Sequence, residues 1–152
     1  MALKTALQPS TVASILVEGT ALLARDRVEA ARLDAERLVA HCLQTTRLDL
    51  YKRMAQTLTE PQEHRIRSVF ERRVKREPLQ YIIGDQEFWG REFIVAPGVF
   101  IPRPETEGLI EGAIAWLDRQ QDEKETPTVL DLCTGSGCLA ISVAKQIGRA
   151  HV

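Results

Sequence analysis

The sequence lacks the features that mark several specialised classes of protein. Its 152 residues carry a formal net charge of -1 at pH 7, so no excess of one charge favours a nucleic acid or an anionic membrane as a partner. No apolar run approaches the roughly 20 residues of a membrane-spanning helix. The first residues, MALKTALQPS, show no apolar segment followed by a cleavage site, and we therefore expect no secretory signal.

Cysteine is also scarce, with three residues, and an odd count without an export signal fits a reducing cytoplasm. Cys133 and Cys138 form a C-x4-C pair, a spacing that suits zinc poorly, and no histidine lies nearby in the motif. We therefore expect two small buried residues there, and no metal site.

The composition of the chain changes near REPLQ (76–80). Residues before this point are mostly helix formers, whereas most of the aromatic residues, prolines and glycines follow it. This change predicts a domain boundary at about residue 78. The first part, residues 1–78, is expected to be an all-α helical bundle, because each helix presents one apolar stripe that must pack against another helix.

Four helices are predicted in this part. The first starts at Pro9-Ser10-Thr11, the second spans 28–43, a short third is less distinct around RLDLYKRM (47–54), and the fourth opens with Thr59 and Gln62 at the spacing of a capping box. The apolar stripes of the long helices are Val12, Ile15, Leu16, Leu22 and Leu23; Ala31, Ala35, Leu38, Val39 and Cys42; and Ile66, Val69, Phe70 and Val74.

The fourth helix is rich in basic residues, namely Arg65, Arg67, Arg72, Arg73, Lys75 and Arg76. One interpretation is a basic face for an RNA-rich or acidic partner. The other is a solvated helix face with pairs four residues apart, such as Glu71 with Lys75. From the residues alone, the solvated face is favoured.

The segment QEFWGREFIVAPGVFI (86–101) alternates aromatic and β-branched residues around Trp89-Gly90 and turns again at Pro97-Gly98. This pattern predicts a β-hairpin, which we expect to serve as a linker over 79–104. In the following IPRPETE (101–107), two prolines fix the backbone around Arg103, and Glu105 opens a helix. A rigid connector and an arm that holds Arg103 and Glu105 beside a ligand are equally compatible with these residues.

The segment TVLDLCTGSGCLA (128–140) combines a short apolar run, a glycine-rich loop and a helix start. Val129, Leu130 and Leu132 predict a buried parallel strand, and Ile141, Val143 and Ile147 suit a helix that packs on it. Strand, loop and helix in this order predict the first unit of a doubly wound α/β fold, whose ligand binds at the carboxyl end of the strand.

Three kinds of ligand can be considered for this loop. A P-loop for nucleoside triphosphates is excluded, because Lys and Ser or Thr do not follow Gly137. A dinucleotide loop fits as G-x-G-x-x-A from Gly135, although the Asp131 carboxylate would tend to repel a pyrophosphate. The same carboxylate suits the cationic groups of S-adenosylmethionine, so charge favours the methyl donor.

Two longer stretches resemble a known family. PLQYIIGDQEFWGREFIVAPGVFIPRPETE (78–107) and VLDLCTGSGCLAISVA (129–144) closely resemble the peptide chain release factor N5-glutamine methyltransferases, the HemK/PrmC family. IPRPETE is the specific element, since a sister family that acts on a ribosomal protein shares DLCTGSGC but usually lacks RPETE. One departure is Cys133, which replaces the commoner first glycine of the loop.

The resemblance implies the fold and the activity. Residues 1–78 would be a helical substrate-docking domain, and 105–152 the truncated start of a class I, Rossmann-like methyltransferase domain. The activity would be methyl transfer to the GGQ glutamine of class 1 release factors, which are the protein partners. The residues implied to bind S-adenosylmethionine are Asp131, Cys133, Thr134, Gly135, Ser136 and Gly137, with Phe100, Arg103 and Glu105 near the cofactor or target pocket.

The family orients its target amide with Asn-Pro-Pro-Tyr, and this chain contains no asparagine. We therefore assign no catalytic residue here and expect the chain to be the first half of the enzyme, inactive alone. Two alternatives stay open from the sequence. One is a portion of a nicotinamide-dependent Rossmann oxidoreductase, and the other is a non-enzymatic interaction module of helices and hairpin.

Overall fold

The structure is a computed structural model that describes residues 10–119 and 128–146. The chain divides into two compact units, Met1–Ile83 and Gly84–Val152. None of the helices within the described ranges is long and apolar enough to cross a membrane. The boundary expected from the composition at about residue 78, and the end of the linker at residue 104, stay predictions.

The first unit is helical, as the sequence predicts. Its helices are α1 (Val12–Arg25), α2 (Ala31–Cys42), α3 (Arg47–Leu50), α4 (Glu60–Val74) and α5 (Leu79–Ile83), with a 3-10 turn at Tyr51–Arg53 after α3. The second helix begins at Ala31 and not at residue 28. Helix α5 was not predicted, because its five residues lie in the segment assigned to the hairpin linker.

The predicted helix starts are confirmed for α1 and α4. Thr11 caps α1 through a reciprocal pair of hydrogen bonds with Ser14. Thr59 caps α4 in the same way with Gln62, and Pro61 lies in the first turn. Each capping box satisfies two backbone donors that would otherwise lack partners, which fixes where these helices begin.

The core of the first unit joins all three predicted stripes. Its buried members include Val12, Ile15, Leu16 and Leu23 of α1, Ala31, Ala35, Leu38, Val39 and Cys42 of α2, and Ile66, Val69 and Phe70 of α4. Gly19 lets α1 and α4 approach, since a Cβ at this position would lie 2.2 Å from Cζ of the Phe70 ring. The ring of Phe70 therefore occupies the space that a side chain at position 19 would need.

Gly19→Ala is expected to destabilise the first unit by about 1–3 kcal/mol, because an added methyl group overpacks a close-packed core. Thermal or urea unfolding followed by helical circular dichroism would measure this. In a Phe70→Leu background the same substitution should cost less than half as much, since the ring no longer fills the space. Equal costs in both backgrounds would show that the contact does not limit the packing.

Helix α5 belongs to the first unit by its packing. Leu79 and Ile82 are each only 6% exposed and join the core formed by α1, α2 and α4. A helix of five residues has little intrinsic stability, so these two side chains hold it in place. The helical unit therefore needs residues beyond Pro78 to cover its core.

We expect residues 1–83 alone to unfold cooperatively, and residues 1–78 to be less stable by about 3–5 kcal/mol. The difference is the burial of Leu79 and Ile82, which only the longer chain retains. Urea unfolding of both chains would measure it. Equal midpoints, or a gradual transition for residues 1–83, would contradict the independent folding of this unit.

The second unit begins with the predicted hairpin. Strands β1 (Asp85–Phe88) and β2 (Arg91–Ile94) pair antiparallel, with Phe88 opposite Arg91. Trp89 and Gly90 form the turn with φ of 52° and 65°, the left-handed pair that suits a two-residue hairpin. A 3-10 turn at Pro104–Thr106 then leads into α6 (Glu107–Arg119), and α7 (Cys138–Gln146) follows the glycine-rich loop.

A small core holds the second unit together. It consists of Phe88 and Phe93 from the hairpin, Ile110 and Leu117 from α6, and Cys138 and Val143 from α7. The two phenylalanine rings meet edge to face, with centroids 6.1 Å apart. This core places the start of α7, and hence the end of the glycine-rich loop, close to the hairpin.

The strand predicted over 128–132 is not formed in the described residues, and its side chains are not buried. Val129, Leu130 and Leu132 are 51%, 78% and 76% exposed. A parallel strand requires hydrogen-bonding neighbours, and the sheet found in the described ranges consists of the antiparallel strands β1 and β2. Of the predicted helix face, Val143 is buried and Ile141 is 40% exposed, whereas Ile147 lies outside the described residues.

Candidate functional site

The glycine-rich loop runs from Asp131 to Gly137 and leads directly into α7. Three of its residues have left-handed backbone conformations, with φ of 60° at Cys133, 57° at Gly135 and 76° at Gly137. Glycine adopts this conformation freely, whereas a residue with a Cβ does so at a cost of about 1–2 kcal/mol. Cys133 therefore occupies a position that favours glycine.

Hydrogen bonds fix the shape of this loop. The Thr134 hydroxyl donates to Asp131 Oδ2 at 3.0 Å. The Gly137 amide donates to the Thr134 carbonyl oxygen, and the Gly137 carbonyl oxygen accepts from the Ile141 amide, both at 2.9 Å. Gly137 thus caps α7, and the first amides of that helix lack partners within the helix. A carboxylate and a set of free amides therefore lie at the two ends of one short loop.

Phe100 lies beside this loop. A Cβ built on Gly135 would be 3.9 Å from the Phe100 Cβ. The Arg103 guanidinium carbon is 5.5 Å from the Phe100 ring centroid, a cation–π distance. The structure therefore brings Phe100 and Arg103 together near the loop. Glu105 is exposed in the 3-10 turn, and no hydrogen bond joins it to the loop within the described residues.

Glu107 makes a contact that the sequence did not predict. Its Oε1 accepts a hydrogen bond from the Trp89 amide at 2.8 Å. The sequence explains the acidic residue only as favourable charge at a helix start. The structure shows that this carboxylate also ties the hairpin turn to the first turn of α6.

An open cavity of about 680 Å³ lies between the hairpin and the loop. The residues that line it are Gly90, Arg91, Glu92, Phe93, Ile94, Ser136 and Ile141. Ser136 of the loop therefore shares a concave surface with β2. Small molecules bind in concave surfaces, and this cavity gives the loop one wall of such a surface.

The two cysteines of the loop region differ in burial. Cys138 is buried as predicted, whereas Cys133 is exposed, so the prediction of two buried residues is wrong for Cys133. The reason is that nothing in the described part of the chain covers the loop at that point. Within residues 10–119 and 128–146, no group of three or more His, Cys, Asp or Glu side chains could hold a metal ion.

The basic residues of α4 are largely paired within the first unit. Arg67 bonds Glu18 and Glu63, Arg72 bonds Glu77, Arg73 bonds Asp34, and Arg76 donates to the carbonyl oxygens of Asp26 and Arg27. The expected Glu71–Lys75 pair is not among the ion pairs of the described residues. The helix face is thus neither an open basic surface nor a simple ladder of pairs. Arg67 joins α4 to α1 and Arg73 joins it to α2, whereas Arg72 pairs locally with Glu77.

Glu36 of α2 is a buried carboxylate that the sequence did not reveal. It is 5% exposed, and its Oε1 accepts from the Tyr51 hydroxyl at 2.5 Å and from Arg32 Nε at 3.0 Å. Its Oε2 lies 3.0 Å from Arg47 Nε. Burial acts to raise the pKa of Glu36, but the bonds from Tyr51 and Arg32, together with the charges of Arg47 and Arg32, lower the pKa overall. The ionised carboxylate joins α2 to α3 and the turn that follows.

The described structure is a helical N-terminal unit followed by a unit with a hairpin and a glycine-rich loop, which is consistent with a helical domain followed by the start of a methyltransferase domain. Residues 14–84 match the family model described as the PrmC N-terminal domain. This range ends one residue beyond the first unit of the structure.

The chain is also similar to curated proteins named release factor glutamine methyltransferase. It is 39% identical to the one from Geobacter sulfurreducens over 93% of this chain and 48% of the relative. It is 44% identical to the one from Thermodesulfovibrio yellowstonii over 74% of this chain and 39% of the relative. It is 37% identical to the one from Chlorobaculum tepidum over 93% of this chain and 49% of the relative. The chain spans about half the length of the curated relatives it matches.

By these matches, residues 14–84 are similar to the PrmC N-terminal domain, and the chain is similar to release factor glutamine methyltransferases over about half of their length. They confirm the resemblance indicated by IPRPETE and the glycine-rich loop. They do not favour the nicotinamide-dependent oxidoreductase or the non-enzymatic interaction module. The role of each loop residue in binding a cofactor stays a prediction.

Gly137→Ala is expected to destabilise the start of α7 by about 1–2 kcal/mol, because alanine is strained at a φ of 76°. The rate of amide hydrogen exchange across α7 should rise by the factor that corresponds to this loss of free energy. Gly112→Ala is the matched control, since Gly112 is helical and an added Cβ would meet open space. That change should stabilise α6 by up to about 1 kcal/mol. Slower exchange in α7 of the Gly137 variant would contradict the strained geometry.

Proposed function

We propose that this chain supplies the protein-docking domain and the methyl-donor loop of a release factor glutamine methyltransferase. The reaction is transfer of the methyl group of S-adenosylmethionine to the GGQ glutamine of class 1 release factors. One observation carries the proposal. The loop 131–137 has left-handed residues at Cys133, Gly135 and Gly137 in a chain whose relatives bear that name.

The chemistry of the loop fits the methyl donor. S-adenosylmethionine carries an ammonium and a sulfonium group, and the Asp131 carboxylate supplies the opposite charge near them. One oxygen of Asp131 is engaged by Thr134, which orients the carboxylate and leaves Oδ1 for a ligand. The free amides at the start of α7 suit the carboxylate of the donor. Gly135 and Gly137 allow the backbone to approach it closely.

We further propose that residues 105–152 contribute to a class I, Rossmann-like domain. The exposed side chains of Val129, Leu130 and Leu132 support this, because a central parallel strand is covered on both faces. Neighbouring strands would satisfy the backbone of 128–132 and hold the loop in place.

Phe100 and Arg103 are proposed to border the target pocket, since Phe100 lies beside the loop and Arg103 lies over the Phe100 ring. We assign no catalytic residue to this chain. An amide nitrogen is a poor nucleophile and has to be oriented by hydrogen-bond acceptors, a task of positioning and electrostatics. The family uses Asn-Pro-Pro-Tyr for it, and this chain has no asparagine.

The test joins residues 1–146 to the second half of the Geobacter sulfurreducens relative. This chimera is expected to methylate a release factor with labelled methyl donor, and the 152-residue chain alone is not. Asp131→Asn in the chimera should weaken donor binding by about 1–3 kcal/mol, the cost of losing a charged hydrogen-bond partner. Calorimetry with S-adenosylmethionine would measure this change in affinity. Asparagine can still accept the hydrogen bond from Thr134, so the substitution removes the charge and keeps the shape of the loop.

Asp118→Asn is the control for this experiment, since Asp118 is an exposed residue of α6 and not part of the loop. It should leave the affinity for the donor unchanged. Equal affinities for the Asp131 variant and the control would show that the carboxylate does not face the donor. A folded chimera that binds the donor but methylates no release factor would contradict the proposed substrate.

A further inference from the structure

A second arrangement of charged groups lies in the first unit, on the side formed by α2 and α3. An open groove of about 760 Å³ is lined there by Arg32, Leu33, Glu36, Arg47 and Tyr51, among others. The mechanism proposed above does not use these residues. The groove has a buried charged side chain at its base, because Glu36 is 5% exposed and bonds Arg32, Arg47 and Tyr51.

The two arginines of this groove are held by Glu36 and are largely exposed, and Arg32 also donates from Nη2 to the Tyr51 hydroxyl at 3.5 Å. Each contacts Glu36 through Nε, yet the side chains of Arg32 and Arg47 are 75% and 56% exposed. They bind opposite oxygens of the same carboxylate, so the two guanidinium groups are neighbours. A guanidinium can hold a second carboxylate through its terminal N–H groups while Nε stays engaged. Anchoring also reduces the side-chain entropy that a ligand would have to overcome.

The rim of the groove is apolar. Leu33 and Tyr51 are 40% and 43% exposed in its lining, and Leu48, next to Arg47 in the chain, is 78% exposed. Exposed leucine and tyrosine beside arginine are typical of surfaces that bind polypeptides. The groove therefore matches a segment that carries both carboxylates and apolar side chains.

A nucleic acid fits this groove less well. Glu29 lines it together with Glu36, and a continuous phosphate backbone would approach both carboxylates. Isolated carboxylates on a peptide can reach the arginines without that repulsion. The arginines of α4, which could have extended a basic track, are largely paired inside the unit.

We propose that the groove of Arg32, Arg47 and Tyr51 over the buried Glu36 is a docking surface for an acidic, leucine-containing polypeptide segment. The docking requires only residues of the first unit. It is therefore independent of the methyl donor and of the loop 131–137.

The experiment uses the full chain and a short fluorescein-labelled peptide of repeated Glu-Ser-Leu-Ser units, in which the carboxylates are separated, followed by fluorescence anisotropy. The matched peptide has glutamine in place of every glutamate. The acidic peptide should bind at least about tenfold more tightly than the matched one, and its affinity should fall when NaCl is raised from about 0.05 M to about 0.5 M. These two comparisons need no change in the protein.

Variants then locate the surface. Arg32→Gln and Arg47→Gln should each weaken binding of the acidic peptide about fivefold, the upper range for an exposed charge pair. Arg25→Gln is the matched control, because the Arg25 side chain is also 75% exposed but pairs with Asp26 outside the groove. This control should bind as the unchanged chain does. Circular dichroism of each variant verifies that the helices are retained.

Three outcomes would overturn the proposal. The first is equal affinity for the acidic and the glutamine peptides. The second is equal loss of binding in the Arg25 and Arg47 variants, which would place the peptide elsewhere. The third is displacement of the peptide by a lower concentration of a single-stranded RNA oligonucleotide than of unlabelled acidic peptide. Failure of methyl transfer by the chimera would leave all three comparisons unaffected.

Discussion

The absence of a side chain at Gly19 sets the distance between α1 and α4, and the first unit is arranged around that contact. A Cβ there would lie 2.2 Å from the Phe70 ring, so only glycine lets the ring reach the surface of α1. With the two helices this close, α2 and α5 complete the cover of the shared core. The charged bonds of Arg67 and Arg73 in α4 then align the same helices at their edges.

In the second unit, a few contacts hold the glycine-rich loop near the hairpin. Glu107 ties the hairpin turn to α6, and Phe88 and Phe93 pack against both α6 and α7. The start of α7 is thereby held near the hairpin. Gly137 joins α7 to the loop, because it bonds both Ile141 in the helix and Thr134 in the loop. Phe100 and Arg103 reach the same region from the segment before α6. The loop has a wall on the hairpin side, whereas its other side presents the exposed residues Leu130 and Leu132.

Much of the fold could be predicted because its signals are local. The capping boxes at Thr11 and Thr59 and the turn at Trp89-Gly90 depend on a few neighbouring residues. Helix α5 was missed because five residues carry too little periodicity to be recognised. The strand at 128–132 was predicted correctly as an apolar segment and wrongly as a formed element, because pairing depends on strands that the local sequence does not specify.

The sequence by itself determined the helical character of the first unit, the hairpin, and the membership of Asp131, Thr134 and Gly137 in one loop. Each follows from residue types at short spacing, where backbone geometry alone decides. Only the tertiary structure decided that Glu36 is buried under Arg32 and Arg47, and that Phe100 lies against Gly135. These contacts join residues that are distant along the chain. Burial and pairing depend on how whole elements pack against one another. The residues next to a side chain in the sequence do not specify that packing.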